Sequence, residues 1–127
     1  MKFNDEIVSG KICGYCNEPP EFVDSKEIYG KSYGMIYLCR VCRAYCGVHK
    51  GTDVALGRLA NRELRELKKE AHHWFDQIWK SGKMSRSEAY DWLSKQLDIP
   101  VKYTHIGMFD EALCKNARTY CYMYLNP

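Results

Sequence analysis

Four cysteines constrain this chain more than any other feature in it. Cys13-Gly14-Tyr15-Cys16 and Cys39-Arg40-Val41-Cys42 are two short turns of identical cysteine spacing, with 22 residues between them. Two residues between cysteines let both thiolates converge on one ion, and two such knuckles complete a tetrahedral site with Zn–S bonds near ~2.3 Å. The spacer is slightly longer than in the usual paired-knuckle signature. Its content suits a hairpin, which would bring the pairs together. The pattern therefore predicts a zinc ribbon holding one structural Zn²⁺ per chain through Cys13, Cys16, Cys39 and Cys42. Iron accepts the same ligands, and four free buried thiols are the metal-free alternative. A catalytic zinc is disfavoured because four sulfurs leave no position open for water. Cys46 lies close enough in sequence to compete with Cys42. Cys42 is preferred because it repeats the spacing of the first knuckle.

Size sharpens the case for metal. The chain has 127 residues, enough for one compact domain or two very small ones. A ribbon of some forty residues has little apolar core, whereas structural zinc contributes roughly 10–16 kcal/mol in small fingers at neutral pH. Apolar residues make up 46% and aromatic residues 13% of the chain, which argues against disorder. Met1 to Gly10 contains Asp5 and Glu6 and lacks the apolar run of a secretion signal. No apolar stretch reaches membrane-spanning length. The expectation is a soluble, cytoplasmic protein without a membrane partner. In a reducing compartment, seven cysteines favour metal ligation over disulfides.

Residues 1–10 read as a tail or lead-in. The ribbon is expected over residues 11–53, with short strands at Glu21 to Asp24, Glu27 to Tyr29, Met35 to Cys39 and Arg43 to His49. Gly51 to Gly57 reads as a connector. A helical region is expected over residues 54–127. Its first helix would be capped by Asn61 and ended by Gly82, with Leu64, Leu67, Ala71, Trp74, Phe75 and Ile78 forming one stripe. Ser85-Arg86-Ser87-Glu88 is a capping box opening a second helix to about Leu97. A third helix is expected from about Asp110 to Tyr122. The predicted class is α+β: short antiparallel strands of a ribbon packed on about three helices. Trp74, Phe75, Trp79, Trp92 and Phe109 would form a shared core and make the whole one folding unit.

Several runs are distinctive. They include Val23-Asp24-Ser25-Lys26-Glu27-Ile28-Tyr29-Gly30, Ser32-Tyr33-Gly34-Met35 and Cys46-Gly47-Val48-His49-Lys50-Gly51-Thr52-Asp53. Ala71-His72, Phe75-Asp76, Trp79-Lys80, Ser85-Arg86, Ala89-Tyr90, Trp92-Leu93 and His105-Ile106-Gly107-Met108-Phe109-Asp110 continue them. Together these resemble a zinc-finger-containing family of unknown function found in bacteria, phages and prophages, over about residues 11–115. The resemblance implies a zinc finger with a helical tail and a phage or prophage setting, and it implies no activity. The family pattern has an apolar residue at the place of Cys46, which implies that Cys46 is a bystander.

Other polar residues suggest further chemistry. His49, His72, His105 and Asp110 are the candidates for a second metal or a hydrolytic centre. No HNH, HExxH or paired-carboxylate spacing supports that reading, and the alternative is histidines bonded to backbone at the border of the core. Cys114 could join His105 at such a site. Cys114 and Cys121 lie roughly 10 Å apart along one helix and cannot easily share an ion. His49-Lys50-Gly51-Thr52 lacks the order of a phosphate loop, although Lys50 and Thr52 could still contact an anion.

The net charge of +3 is too small to announce a nucleic-acid partner by itself. Local grouping says more. Arg40 and Arg43 flank the second knuckle, Lys50 follows it, and Tyr15, Tyr33, Tyr37 and Tyr45 cluster in the same third of the chain. Arg and Lys bind phosphates and aromatic faces stack on bases. The leading expectation is a non-enzymatic nucleic-acid-binding module using Arg40, Arg43 and Lys50, with Tyr15, Tyr33 and Tyr45 at the interface. The alternatives are a module that blocks a host protein, either an enzyme or a defence complex, and a metal-dependent nuclease or hydrolase. The bland reading is tyrosines in packing and charges on a solvated face.

Overall fold

The computed structural model describes residues 3–127. It is α+β, with three antiparallel strands near the N-terminus followed by three long helices. The chain divides into two compact units, one ending at Glu63 and the other running Leu64–Pro127.

The first unit opens with α1 (Asp5–Val8), where a tail or short lead-in was expected. Asn4 makes it possible: its side chain accepts from the N–H groups of Glu6 and Ile7, which a helix start otherwise leaves unpaired. Val8 is buried. Gly10 follows with φ +76°, and a Cβ there would lie 2.7 Å from the Gly57 carbonyl oxygen and 2.8 Å from the Ala55 Cβ. Only glycine admits both that conformation and that approach.

β1 (Glu21–Asp24), β2 (Met35–Cys39) and β3 (Ala44–Gly47) form a meander in that order. Phe22 pairs with Tyr37 and Tyr37 with Cys46; Leu38 pairs with Tyr45 and Cys39 with Ala44. The expected strand at Glu27 to Tyr29 is instead a helical turn, α2 (Lys26–Tyr29). The Asp24 carboxylate accepts from the Lys26 N–H and the Ser32 hydroxyl, which bends the chain away from the sheet. The buried Ser25 hydroxyl accepts from the Tyr33 N–H, and Gly30 ends the turn in the left-handed region. Side-chain bonds of this local kind compete with strand pairing.

The connector also does more than expected. Tyr45 and Ala60 exchange both backbone hydrogen bonds, Leu56 N–H donates to the Gly47 carbonyl, and Val48 bridges Ala55. Residues 55–60 thus run along the outer edge of β3. Cys13, Cys39, Ala44 and Leu59 make a small core against which Cys16, Tyr37, Cys42 and Cys46 pack.

The second unit holds most of α3 (Arg62–Lys80), all of α4 (Arg86–Leu97) and all of α5 (Glu111–Leu125). The helix start directly after Asn61 and the left-handed Gly82 beyond Lys80 match the expected limits. Of the predicted stripe, Leu64, Ala71, Phe75 and Ile78 are buried, while Leu67 and Trp74 are half-buried at its edge. The box at α4 is complete, since Ser85 accepts from the Glu88 N–H while Glu88 accepts from the Ser85 N–H. Asp98 ends α4 in the left-handed region. Phe75 stacks on Tyr90 at 4.3 Å, Trp74 meets Tyr122 edge-on at 5.0 Å, and Trp92 meets Tyr124 at 5.1 Å. Phe75 and Phe109 are fully buried, whereas the three tryptophans are half-buried. No helix among the described residues is long and apolar enough to cross a membrane.

Candidate metal centre

The strands set the second knuckle and a local turn sets the first. Cys39 ends β2, and the next four residues reverse the chain into β3. At the first knuckle the Cys13 N–H donates to the Glu18 carbonyl and the Asn17 N–H to the Cys13 carbonyl. The residue after each knuckle is left-handed: Asn17 at φ 63° and Arg43 at φ 52°. Asn tolerates that conformation, but for Arg it costs roughly 1–2 kcal/mol.

The result is a quartet. The sulfurs of Cys13, Cys16, Cys39 and Cys42 all lie within 4.8 Å of one another, and Cys16 and Cys39 are 3.7 Å apart. A tetrahedron with metal–sulfur bonds near ~2.3 Å spaces its sulfurs at about 3.8 Å. The donor set and its spacing fit zinc, one ion per chain. Cys46 stands outside: its thiol donates to the Gly57 carbonyl oxygen at 3.4 Å.

Crowding spreads the acidities of these thiols. Burial and the thiols of Cys16, Cys39 and Cys13 push Cys42 up to about 12. Cys13 is also raised, by burial first. Burial raises Cys39 too, but bonds from the Cys42 N–H and from the neighbouring thiols outweigh it and leave that sulfur below its ordinary value. A bound divalent cation would hold all four as thiolates, so its uptake releases protons and its affinity falls in acid.

The other expected residues fall in several places. Arg40 is engaged: its Nε donates to Glu21 at 2.7 Å and its Nη2 pairs with Glu27, joining β1 and α2 to the end of β2. Those hydrogen bonds, Glu21 first, raise its pKa further. Arg43 and Lys50 are exposed, and neither enters an ion pair among the described residues. The Thr52 hydroxyl donates to the His49 carbonyl and accepts from the Val54 N–H, so it holds the turn that carries Lys50.

The tyrosines separate into groups. Tyr15 accepts from the Asn61 N–H, and Tyr37 donates to the Asp53 carbonyl beneath Phe22. Tyr33 and Tyr45 come together around Tyr29, whose ring stands at 89° to the first and 88° to the second. Tyr29 was missed at the sequence level because its segment reads as a strand. The one available signal was its nearness to Tyr33 across a glycine-bounded turn.

In the second unit the Asp110 carboxylate caps α5 by accepting from the Leu113 N–H. His105 packs against Tyr90 at 5.1 Å. Burial lowers the pKa of His72, with Arg86 and Lys68 adding to the effect and Asp76 opposing it. Burial and then Arg86 lower that of His105. Cys114 and Cys121 are buried thiols. Among the described residues, the cysteine quartet is the one group of three or more potential ligands close enough to hold a metal.

Ribbon, knuckles and quartet define a four-cysteine zinc-binding module. The chain belongs to the family described as zinc-finger-containing domain, whose profile matches residues 9–122. No curated protein and no solved structure matches it.

Proposed function

We propose that this zinc-binding domain is a non-enzymatic module that binds nucleic acid. The observation that carries the reading is that Arg43, next to the second knuckle, and Lys50 are exposed and in no ion pair among the described residues, on the unit that also exposes Tyr29 and Tyr33. The metal holds the second knuckle, so Arg43 projects from a fixed turn rather than a flexible one. Phosphate contacts from these two residues supply affinity, and tyrosine faces supply stacking. Arg40, tied to Glu21 and Glu27, contributes by ordering the ribbon.

Fluorescence anisotropy with labelled single-stranded DNA, duplex DNA and RNA over a range of salt tests this. Affinity should fall steeply as salt rises. Arg43→Gln and Lys50→Gln should each weaken binding and reduce the salt slope by about 1. Absence of binding to every probe at low salt ends the proposal.

One observation favours a protein partner instead. Val41, between the sulfurs of the second knuckle, is 90% exposed, and Tyr15 is exposed in the first. Apolar and aromatic groups on a rigid platform suit an interface hot spot. In that reading the setting is a phage or prophage and the target is a host enzyme or defence complex. A partner captured from bacterial lysate that survives nuclease and high salt, and is lost with Val41→Asp, would favour it.

A further inference from the structure

Tyr29 and the two tyrosines around it, Tyr33 and Tyr45, wall a cavity of about 600 Å³ in the ribbon unit. Its wall comes from α2, the turn into β2 and the start of that strand, β3, the turn carrying Lys50, and Leu56 beyond that turn. The size lies within the range of sites that take small molecules.

The rings are held in place. The Tyr29 and Tyr45 hydroxyls hydrogen-bond at 2.8 Å, and both of Tyr29's ring contacts are edge-on. The Tyr33 N–H is anchored on the buried Ser25 hydroxyl, while its side chain is 72% exposed. A ring so exposed contributes little to the core; the Lys31 ammonium stands over it at 5.9 Å from its centre, and much of the rest of its surface is open to a ligand.

Charge selects the ligand. Aromatic walls alone would also suit a quaternary ammonium group. Here Lys50 is the one charged residue among those lining the cavity, and no carboxylate lines it. A cation would meet repulsion, whereas an anion joined to a flat ring would meet complementary groups at both ends.

We propose that this cavity receives one unpaired nucleotide, its base against the rings of Tyr33 and Tyr45 and its phosphate at the Lys50 ammonium. The proposal deepens the nucleic-acid reading and rests on it for the case of a polymer ligand. The same chemistry is offered by a free mononucleotide and by a nucleotide exposed in a single strand. A duplex buries its bases in stacks and cannot offer it.

The test uses the full chain loaded with zinc. Its ligands are oligothymidylate, the same strand paired with oligoadenylate, and thymidine monophosphate. Binding is followed by tyrosine fluorescence and calorimetry. The variants are Tyr33→Ala, Tyr33→Phe and Lys50→Gln, each checked for zinc content and far-ultraviolet dichroism. Single strand should bind more tightly than duplex. Tyr33→Ala should weaken that binding roughly 5- to 100-fold, Tyr33→Phe should preserve it, and Lys50→Gln should weaken it and flatten its salt dependence. The same pattern with thymidine monophosphate, in the absence of polymer binding, identifies a free nucleotide as the ligand and removes only the polymer reading. Strand and duplex bound equally, with Tyr33→Ala unchanged, overturns the cavity while leaving Arg43-based binding intact. No binding by any ligand overturns both.

Discussion

Each cysteine in the ribbon has a separable role. Cys42 completes the quartet, while Cys46, four residues on, gives its thiol to a backbone carbonyl. Cys42→Ala should abolish stoichiometric zinc and with it the roughly 10–16 kcal/mol that structural zinc supplies to small fingers. Cys46→Ala should leave one ion per chain. Metal analysis of the two purified variants checks both outcomes. Arg43 presents a different contrast, being a cation on a left-handed backbone that glycine would occupy without strain. Arg43→Gly should raise stability by up to about 1 kcal/mol in denaturant unfolding while lowering affinity for single-stranded DNA. A variant weaker in both respects would show that Arg43 supports the fold rather than a ligand.

At the level of elements, helix ends carry the next tests. Asp110 stands at the start of α5 with its carboxylate on the Leu113 N–H. Asp110→Ala should cost about 1 kcal/mol, as lost caps do, with nucleic-acid affinity unchanged. The start of α4 should depend on acid. The Ser85 N–H holds the Glu88 carboxyl below its ordinary value, and the Ser85 side chain adds to that. A depressed carboxyl stabilises the fold fully above its unfolded value, near 4.3, and loses that contribution as pH falls through the lower folded value. Helicity followed by dichroism in acid should show this loss, and Glu88→Gln should remove its share of the pH dependence. These ends were readable because a cap is local chemistry: Ser85 and Glu88 find each other within one turn, and Gly82 stops a helix wherever it falls. The knuckle pairs were readable for the same reason. The turn at Lys26–Tyr29 was not, since Ile28 and Tyr29 favour strands and the decision rests on the Asp24 and Ser25 side chains meeting backbone, with the Ser32 hydroxyl on the Asp24 carboxylate. The pairing of residues 55–60 with β3 left no periodic trace either. The tyrosine cavity depends on several separate segments meeting, which no spacing encodes.

For the whole chain, the distribution of chromophores offers a direct measurement. Trp74, Trp79 and Trp92 all lie in the unit that contains no zinc ligand. Each unit has about sixty residues, a size at which independent stability is marginal, and the continuous helix α3 runs through the boundary between them. We therefore propose a single cooperative folding unit. Stripping zinc with a chelator should shift tryptophan emission to the red together with the loss of ribbon structure. Emission that stays native after metal removal would show that the helices stand alone. The edges of the sheet carry a consequence of their own. Residues 55–60 occupy the free side of β3, while among the described residues β1 is bordered by no further strand. Association through main-chain pairing is therefore monovalent: two copies that met along β1 would use up each other's only open ladder, so growth would stop at a pair and no fibril could propagate by that route.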